Sequence, residues 1–417
     1  MLAGSDKFIR PAFCLPKCGK LFYKNHLKIF YYESSLVGKN AESGYRGANS
    51  KCQSLKGWKF KMKINVTQID PASARTLPEA PFGFGRIFSN YMITRQYAEP
   101  GGWQDAELRP YAPIPMELSM SALHYGQEIF EGTKAYRRPD GNINLFRIDQ
   151  NIKRFNRSAV RMELPQMDEE EHLDAIVSLM NFDKDWVPSA PNTSLYIRPT
   201  LVSSENSIGS MNANEALFFV LLSPVDPYFA SGFAPISVYV EDQYVRAVRG
   251  GVGDAKTGGN YAASLHATKK AIEAGYKQVV WLDAIERRYV EEMGGMNICF
   301  VYGNKLVTSP LTGTILPGIT RDSLLTLAKD LGYEAEERMI DIHELMADIK
   351  SGKCTEAFAC GTAAVIAPIG KMGYKGEDVI VNDNKVGKVT MHLYDELTGI
   401  QYGRIPDRFG WTLEIKG

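Results

Sequence analysis

The most unusual stretch of the sequence is RAVRGGVGDAKTGGNY, residues 246–261. Five of the ten residues from Gly250 to Gly259 are glycine, and a single lysine, Lys256, stands among them. Because glycine has no side chain, it leaves free space and lets backbone segments approach closely. A lysine in such a loop has room for a flat cofactor bonded to its amine. A solvated lysine on a flexible surface loop would give the same pattern.

The loop also resembles a phosphate-binding loop, since residues 250–257 (GGVGDAKT) match G-x-x-x-x-G-K-T except at Ala255. Residues 279–283 follow as an apolar strand ending in aspartate, as in nucleotide-binding proteins. A phosphate loop must, however, run directly into a helix whose N-terminus faces the phosphates. Gly258 and Gly259 would occupy the first turns of that helix, where each costs about 1 kcal/mol relative to alanine. The pattern therefore disfavours nucleotide binding and leaves a lysine that forms a Schiff base with pyridoxal phosphate as the third interpretation.

Composition and charge exclude several classes of protein. The chain has 417 residues, of which 44% are hydrophobic and 23% charged, as expected for a globular protein of about two domains. No apolar run approaches the roughly 20 residues of a membrane-spanning helix. The 48 basic residues balance 48 acidic ones, so the chain has no net positive charge that would attract nucleic acid. The six cysteines lack the spacing of a disulfide framework or a metal site, which favours a reducing compartment and a cytoplasmic location.

The first 61 residues differ from the rest of the chain. They carry a net charge of +9, whereas residues 62–417 carry −9. They are basic and poor in acid, as an organelle transit peptide would be, but lysine outnumbers arginine and no apolar signal-peptide core is present. Two interpretations stay open: an extension upstream of a start at Met62, or a targeting segment for the mitochondrion or another organelle. We expect this segment to be poorly ordered.

From Met62 onward, strands and helices mix without a regular βαβ alternation, which favours an α+β fold over a doubly wound sheet. A stretch rich in proline and small residues, 223–235, is typical of a linker. It divides the chain into a small N-terminal domain, 62–226, and a larger C-terminal domain, 227–417. Strands are predicted at 194–203, 217–222, 236–241, 278–282, 297–302 and 305–308. Helices are predicted at 151–162, 168–182, 261–275, 319–331 and 390–401.

Seven motifs, from about residue 81 to the C-terminus, resemble those of the branched-chain amino acid aminotransferases, fold-type IV enzymes that use pyridoxal 5'-phosphate. In order they are FEGTKAY, LYIRP, GGVGDAKTGGNY, EEMGGMN, LPGITRDS, CGTAA and IQYGRIPD. The resemblance implies the two-domain α+β architecture of D-amino acid aminotransferase-like enzymes, with the cofactor between the domains, and a homodimer or higher homo-oligomer. It implies reversible amino transfer from L-leucine, L-isoleucine or L-valine to 2-oxoglutarate, giving the branched 2-oxo acid and L-glutamate.

Other enzymes of the same fold remain alternatives: D-amino acid aminotransferases, amine transaminases and aminodeoxychorismate lyases. The motifs HYGQEIFEG (124–132) and LYIRP (195–199), with the long C-terminal region, favour the branched-chain group. The expected partners are small amino acids and 2-oxo acids, not nucleic acid or a membrane, and no metal site is expected.

The resemblance assigns the cofactor-binding residues. Lys256 is the Schiff-base lysine and the catalytic residue that carries the proton, and Tyr261 binds the phenolic oxygen of the cofactor. Glu292 faces the pyridine nitrogen, where a carboxylate keeps the ring protonated. Arg154 binds the phosphate. Taken singly, these last three side chains would instead be interpreted as a packing aromatic, a surface acid and a cation on a solvated helix face.

The remaining assignments concern the phosphate and the substrate. The turn at 317–322 begins a helix, whose free amides at Ile319 and Thr320 are expected to hold the phosphate together with the Thr362 hydroxyl. Arg198 lies two residues after Tyr196, hence on the same strand face, and is expected to bind the distal carboxylate of the acidic substrate. Tyr125 is expected to come from the other subunit. The complete set implied for the substrate is Phe84, Tyr125, Phe130, Tyr196, Arg198, Gly361, Thr362 and Ala363.

Three positions depart from the pattern of some family members. Ala364 and Ala367 stand where some members carry a redox-responsive Cys-x-x-Cys, so no such switch is expected. Gly295 stands where some members have threonine.

Overall fold

The computed structural model describes residues 60–210, 212–228 and 233–417, which form two large β-sheets with helices packed against them. The predicted N-terminal extension therefore lies outside the described residues, apart from its last two. Of these, Lys61 contacts the folded part of the chain, because its backbone N–H donates to Oδ2 of Asp174 over 2.6 Å.

The first sheet is formed by the first nine described strands and the last one. Its strand order is β1-β4-β2-β9-β8-β6-β7-β19, with β3 paired to β2 and β5 to β8. All its pairings are antiparallel except that of β1 with β4. The strands are β1 (Ile64–Val66), β2 (Tyr91–Ala98), β3 (Gly102–Trp103), β4 (Ala106–Pro110), β5 (Glu128–Phe130), β6 (Thr133–Arg137), β7 (Ile143–Phe146), β8 (Ser194–Ser203), β9 (Glu215–Val225) and, at the far end of the chain, β19 (Thr412–Ile415).

The second sheet has the order β12-β11-β10-β17-β16-β13-β14-β15, with β18 paired to β17. A further pairing of β12 with β13 closes six of its strands into a ring, so this sheet is barrel-like. Its strands are β10 (Ile236–Glu241), β11 (Gln278–Leu282), β12 (Val290–Met293), β13 (Met296–Tyr302), β14 (Lys305–Thr308), β15 (Glu334–Glu337), β16 (Glu356–Gly361), β17 (Val365–Tyr374) and β18 (Glu377–Ile380).

The helices connect and cover these sheets. They are α1 (Ser121–Tyr125), α2 (Ile148–Arg161), α3 (Glu169–Phe182), α4 (Gly258–Ala262), α5 (Leu265–Glu273), α6 (Ile319–Asp330), α7 (Ile342–Ser351) and α8 (Lys388–Gln401). Asp168 caps α3 by accepting from the amides of Glu170 and Glu171. Helices α2 and α3 bury one face against the first sheet, whereas α6 and α8 pack together against the second. No helix of the described residues is long and apolar enough to cross a membrane.

The predicted elements agree with the structure within a few residues, and the predicted α+β class is confirmed by the predominantly antiparallel sheets. Strand 194–203 is β8 and strand 236–241 is β10. The predicted linker begins later than expected, because β9 continues to Val225. The helix predicted at 261–275 is interrupted: α4 begins at Gly258, and α5 begins only at Leu265.

Candidate active site

Lys256 is held at the point where the two sheets meet. Its backbone N–H donates to Oγ of the buried Ser158 on α2 over 2.9 Å, and its carbonyl accepts from the amide of Phe130 on β5 over 3.0 Å. Arg154 lies four residues before Ser158, hence on the same face of α2. One helix therefore positions both the lysine backbone and the arginine assigned to the phosphate.

The Lys256 side chain points into an aromatic environment. Its Nζ donates to the hydroxyl of Tyr261 over 2.9 Å, and lies 4.9 Å from the ring centre of Phe130. The rings of Phe130 and Tyr261 are themselves 5.0 Å apart. The helix α4, which starts two residues after Lys256, carries Tyr261 back to the amine. The five-residue spacing in the sequence thus becomes a direct contact.

Glu292 lies on β12 and is 1% exposed. Its Oε1 accepts from Nδ2 of Asn297 over 3.0 Å and from the amide of Leu316 over 3.3 Å. Its Oε2 lies 2.6 Å from Nε of Arg246, without the alignment of a hydrogen bond. Burial raises the pKa of Glu292 to about 7, and the charge of Arg246 opposes this rise. Glu292 is therefore poised between its neutral and ionised forms.

Arg246 is itself fixed by the glycine-rich loop. Its Nη1 donates to the carbonyl oxygens of Gly253 and Thr314, over 3.2 and 2.7 Å. An added Cβ at Gly253 would lie 2.6 Å from the Thr314 oxygen, so glycine is required for this close approach. The glycine-rich loop thus carries Lys256 and also positions the guanidinium beside Glu292.

Arg154 forms a buried bidentate ion pair with Glu131. Its Nε and Nη2 contact the two carboxylate oxygens over 2.7 and 2.9 Å, and Nη1 donates to the carbonyl of Pro317 over 3.1 Å. Burial alone would raise the pKa of Glu131, but the charge and hydrogen bonds of Arg154 outweigh it and hold this pKa below its usual range. The ion pair keeps the guanidinium at the start of the turn assigned to the phosphate.

The N-terminus of α6 provides the amides of that turn. No side chain caps the helix at Gly318, so the amides of its first turn remain free for a ligand. Ile319 and Thr320 of this turn line a small cavity together with Thr362. A positive helix end next to a hydroxyl is suited to an anion.

The aromatic residues assigned to the substrate form a cluster beside Lys256. Arg198 lies over the ring of Phe130 at 4.6 Å and donates from Nη2 to the Tyr196 hydroxyl over 3.1 Å. Its Nε is buried and has no hydrogen-bond partner among the described residues. The ring of Phe84 packs 5.0 Å from that of Tyr196. Phe84, Phe130, Tyr196 and Arg198 thus lie together, and their role in binding the substrate stays a prediction.

Tyr125 is not part of this cluster. It lies at the end of α1 with half of its side chain exposed, and its hydroxyl donates to the carbonyl of Ile208. It lines a separate, open cavity with Gln127 and Met162. This position is compatible with the expectation that Tyr125 serves a neighbouring subunit, which stays a prediction.

The turn at 361–363 joins β16 to β17 and faces the first sheet. The carbonyl of Ala363 accepts from Nζ of Lys134 on β6 over 2.8 Å. Gly361, Thr362 and Ala363 therefore lie where β6 reaches the second sheet. Gly295, where some family members have threonine, packs against Tyr261: an added Cβ would lie 2.9 Å from Cε1 of that ring. The glycine lets Tyr261 keep its position beside Lys256.

Several site residues were missed by the sequence analysis. Arg246 stands at the first position of the quoted loop, and Glu131 and Lys134 stand inside FEGTKAY. The available signal was a charged residue inside a motif of mostly uncharged residues, since burial of such a group requires a partner. Glu128 was also missed. It accepts a hydrogen bond from the amide of Gly258, which joins β5 to the start of α4.

Comparison with known proteins identifies the family. The model of the "Amino-transferase class IV" family matches residues 128–372. The branched-chain-amino-acid transaminase 1 of Bacillus subtilis is 49% identical over 334 residues, which cover 80% of this chain and 94% of that protein. The branched-chain-amino-acid aminotransferase of Mycolicibacterium smegmatis is 46% identical over 361 residues, covering 85% and 98%.

Solved structures of branched-chain aminotransferases share the fold of this chain. The branched-chain aminotransferase of the archaeon Thermoproteus uzoniensis, with norvaline, matches with a TM-score of 0.64 at 27% identity, covering 78% of this chain and 99% of that one. The T.th. branched-chain amino acid aminotransferase with pyridoxamine 5'-phosphate matches with a TM-score of 0.62 at 26% identity, covering 80% and 99%. The predicted resemblance and the fold-type IV architecture are confirmed. The family model covers more than half of the chain and the relatives about four fifths, so this chain belongs to the class IV aminotransferases.

Proposed function

We propose that this chain is a branched-chain amino acid aminotransferase, which moves the amino group of L-leucine, L-isoleucine or L-valine reversibly to 2-oxoglutarate. The observation that carries the proposal is the single cluster formed by an amine, Lys256, an aromatic wall and a partly unpaired guanidinium, Arg198. Such a pocket accepts an aliphatic side chain against its rings and a distal carboxylate at its edge. The relatives named above are branched-chain aminotransferases, which supports the same substrate class.

The residues present fit pyridoxal 5'-phosphate. Thr257 Oγ1 is a buried polar atom with no hydrogen-bond partner among the described residues, as in a site built for a polar ligand. The uncapped N-terminus of α6, the Thr362 hydroxyl and Arg154 would hold the phosphate. Tyr261 would hold the phenolic oxygen, and Glu292 the ring nitrogen. When bound, the cofactor supplies an electron sink for the carbanion formed at the substrate α-carbon.

The chain's own residues carry the proton and set the charges. Lys256 Nζ, freed by the incoming amino group, would take the proton from the substrate α-carbon and release it at C4′ of the bound cofactor. Tyr261 holds this amine over the reacting face through the hydrogen bond between its hydroxyl and Nζ. Arg246 favours the ionised form of Glu292, and that carboxylate would stabilise a proton on the ring nitrogen. The amides of the turn at 361–363 receive the substrate α-carboxylate.

The proposal includes a homodimer or higher homo-oligomer and a cytoplasmic location, with the mitochondrion or another organelle as the alternative if residues 1–61 direct the chain there. The assignment to two domains, 62–226 and 227–417, belongs to the proposal as well. The C-terminal strand β19 pairs with β7 of the first sheet, so the chain returns to the smaller domain at its end.

A panel of amino donors tests the function. The purified holoenzyme is incubated with 2-oxoglutarate and with L-leucine, L-isoleucine, L-valine, D-alanine or a primary amine, and glutamate is measured. The proposal predicts glutamate with the three branched L-amino acids. Turnover with D-alanine or the amine alone would assign the chain to one of the sibling activities instead.

A further inference from the structure

We propose that Lys134 is a positioning residue for the anion-binding turn at 361–363, which it clamps through Ala363 and supplies with a positive charge. This inference rests on the proposed function, because it concerns the anionic groups that this turn would receive. Those groups are the α-carboxylate of the substrate and the phosphate of the cofactor. No other part of the proposed mechanism uses Lys134.

The geometry links Lys134 to both ends of the site. It lies on β6 directly opposite Tyr196 of β8, so the two side chains start from the same face of the first sheet. Its Nζ donates to Ala363 of the second sheet over 2.8 Å. It also lines the small cavity that contains Ile319, Thr320 and Thr362. The ammonium therefore lies beside the turn at 361–363 and next to the cavity at the N-terminus of α6.

The charge of Lys134 has no protein counter-ion. The residue is 5% exposed, and no carboxylate of the described residues forms an ion pair with it. The other residues that line its cavity are uncharged: Thr133, Tyr136, Phe146, Asn151, Ile319, Thr320, Thr362 and Gln401. Burial accordingly lowers the pKa of Lys134 to about 7. A buried cation of this kind favours an anionic ligand, because the ligand supplies the missing negative charge.

The test compares Lys134→Met with Lys134→Gln, which can still donate to Ala363 but carries no charge, and with Lys134→Arg. Lys153→Met is the matched control, because it removes a half-exposed lysine whose partner, Asp149, is also exposed. Two pairs of probes separate the two anions. Binding of 4-methylvalerate and of its neutral amide to the holoenzyme reports on the carboxylate. Binding of pyridoxal 5'-phosphate and of pyridoxal to the cofactor-free enzyme reports on the phosphate.

The wild-type enzyme should bind each anionic probe more tightly than its neutral counterpart. In Lys134→Met and Lys134→Gln this preference should fall by about tenfold or more, the range of a lost charge-assisted interaction. Lys134→Arg and Lys153→Met should keep it. A fall in the first pair identifies the substrate carboxylate as the anion served, and a fall in the second identifies the phosphate. Unchanged preferences, or equal losses for charged and neutral probes, would overturn the proposal.

Failure of the proposed function can be distinguished from failure of the role proposed for Lys134. If wild-type enzyme did not transaminate leucine, the substrate assignment would be wrong whatever the Lys134 variants did. If it did, while the variants kept every preference for the anionic probes, only the role of Lys134 would be wrong.

Discussion

Replacement of Arg246 by methionine tests whether this guanidinium favours the ionised form of Glu292, the carboxylic acid assigned to the ring nitrogen of the cofactor. In the structure the guanidinium Nε lies 2.6 Å from Oε2 of Glu292, and both side chains are almost fully buried. Two unit charges about 4 Å apart interact by about 4 kcal/mol at an effective dielectric constant of about 20. Loss of one partner of a buried ion pair costs about 3–5 kcal/mol in measured cases.

At about 1.4 kcal/mol per pKa unit, this loss raises the Glu292 pKa by about 2 to 3 from a value that is already about 7. The ionised fraction of Glu292 at neutral pH then falls by about 100-fold. We expect Arg246→Met to slow the half-reaction with leucine by a similar factor at pH 7.5, and less at higher pH, where the carboxyl group ionises again.

The assay is single-turnover absorbance of the holoenzyme after mixing with leucine, measured from pH 6 to 10. Arg249→Met is the control, because it removes an exposed guanidinium from the same loop. Arg246→Lys should recover part of the rate, since it restores a positive charge near Glu292. If Arg246→Met reacts as fast as the wild type, with the same dependence on pH, then the charge of Arg246 does not favour the ionised form of Glu292.

Four further predictions follow from the described contacts. Lys256→Ala should fold but lose turnover by several orders of magnitude, since general acid–base catalysis alone contributes about 10²–10⁴; steady-state assay with leucine measures this, and retention of a tenth of the activity would contradict it. Arg198→Ala should slow the glutamate half-reaction about 10- to 150-fold more than the leucine one, the range for a charge-assisted hydrogen bond; equal losses in single-turnover spectra would contradict a role in recognising the distal carboxylate. Burial raises the pKa of Asp183 from 3.8 to about 6, so the folded state binds this proton more tightly than the unfolded state, and the contribution of Asp183 to stability is lost as pH rises from 4 to 6. Thermal unfolding from pH 4 to 6 measures this loss, which should be smaller in Asp183→Asn than in the wild type. The same dependence of the thermal midpoint on pH in both proteins would refute the prediction. A chain beginning at Met62 should keep full activity, because its backbone N–H still reaches Asp174 over 3.1 Å; loss of bound cofactor on truncation would show that the removed residues support the site.

The sequence predicted the elements whose pattern is local. Strand β8 and helix α6 were predicted within one residue at each end, because alternating or helical periodicity, with a glycine after α6, marks their limits. The break between α4 and α5 was not predicted. Since Tyr261 to Gly275 reads as one amphipathic run, nothing in it marks Leu265 as a second start. The hydrogen bond from Ser264 Oγ to the Tyr261 carbonyl at this break is visible only in the structure.

The sequence motifs also indicated several residues that lie together at the candidate site, but not which partners hold these residues in place. Lys256 and Tyr261 are five residues apart and belong to one motif, so their contact could be expected. The partners of Arg154 and Glu292 could not, because Glu131 and Arg246 come from other strands and loops. Each pairing joins residues that are distant in the chain but lie within one sheet and the segments packed against it, so it depends on the tertiary fold and not on a local pattern.

Lys256 is proposed as the residue that binds the cofactor covalently and carries the proton, and every other role at the site depends on this assignment. The most direct test is reduction of the purified holoenzyme with borohydride, followed by proteolysis and mass spectrometry of the labelled peptide. We expect one pyridoxyl group, attached to Lys256. We expect no label when excess leucine has first transferred its amino group to the cofactor, because the cofactor is then no longer bonded to the lysine. Label on another lysine, on Lys134 for example, or no covalent label in a protein that transaminates leucine, would contradict it.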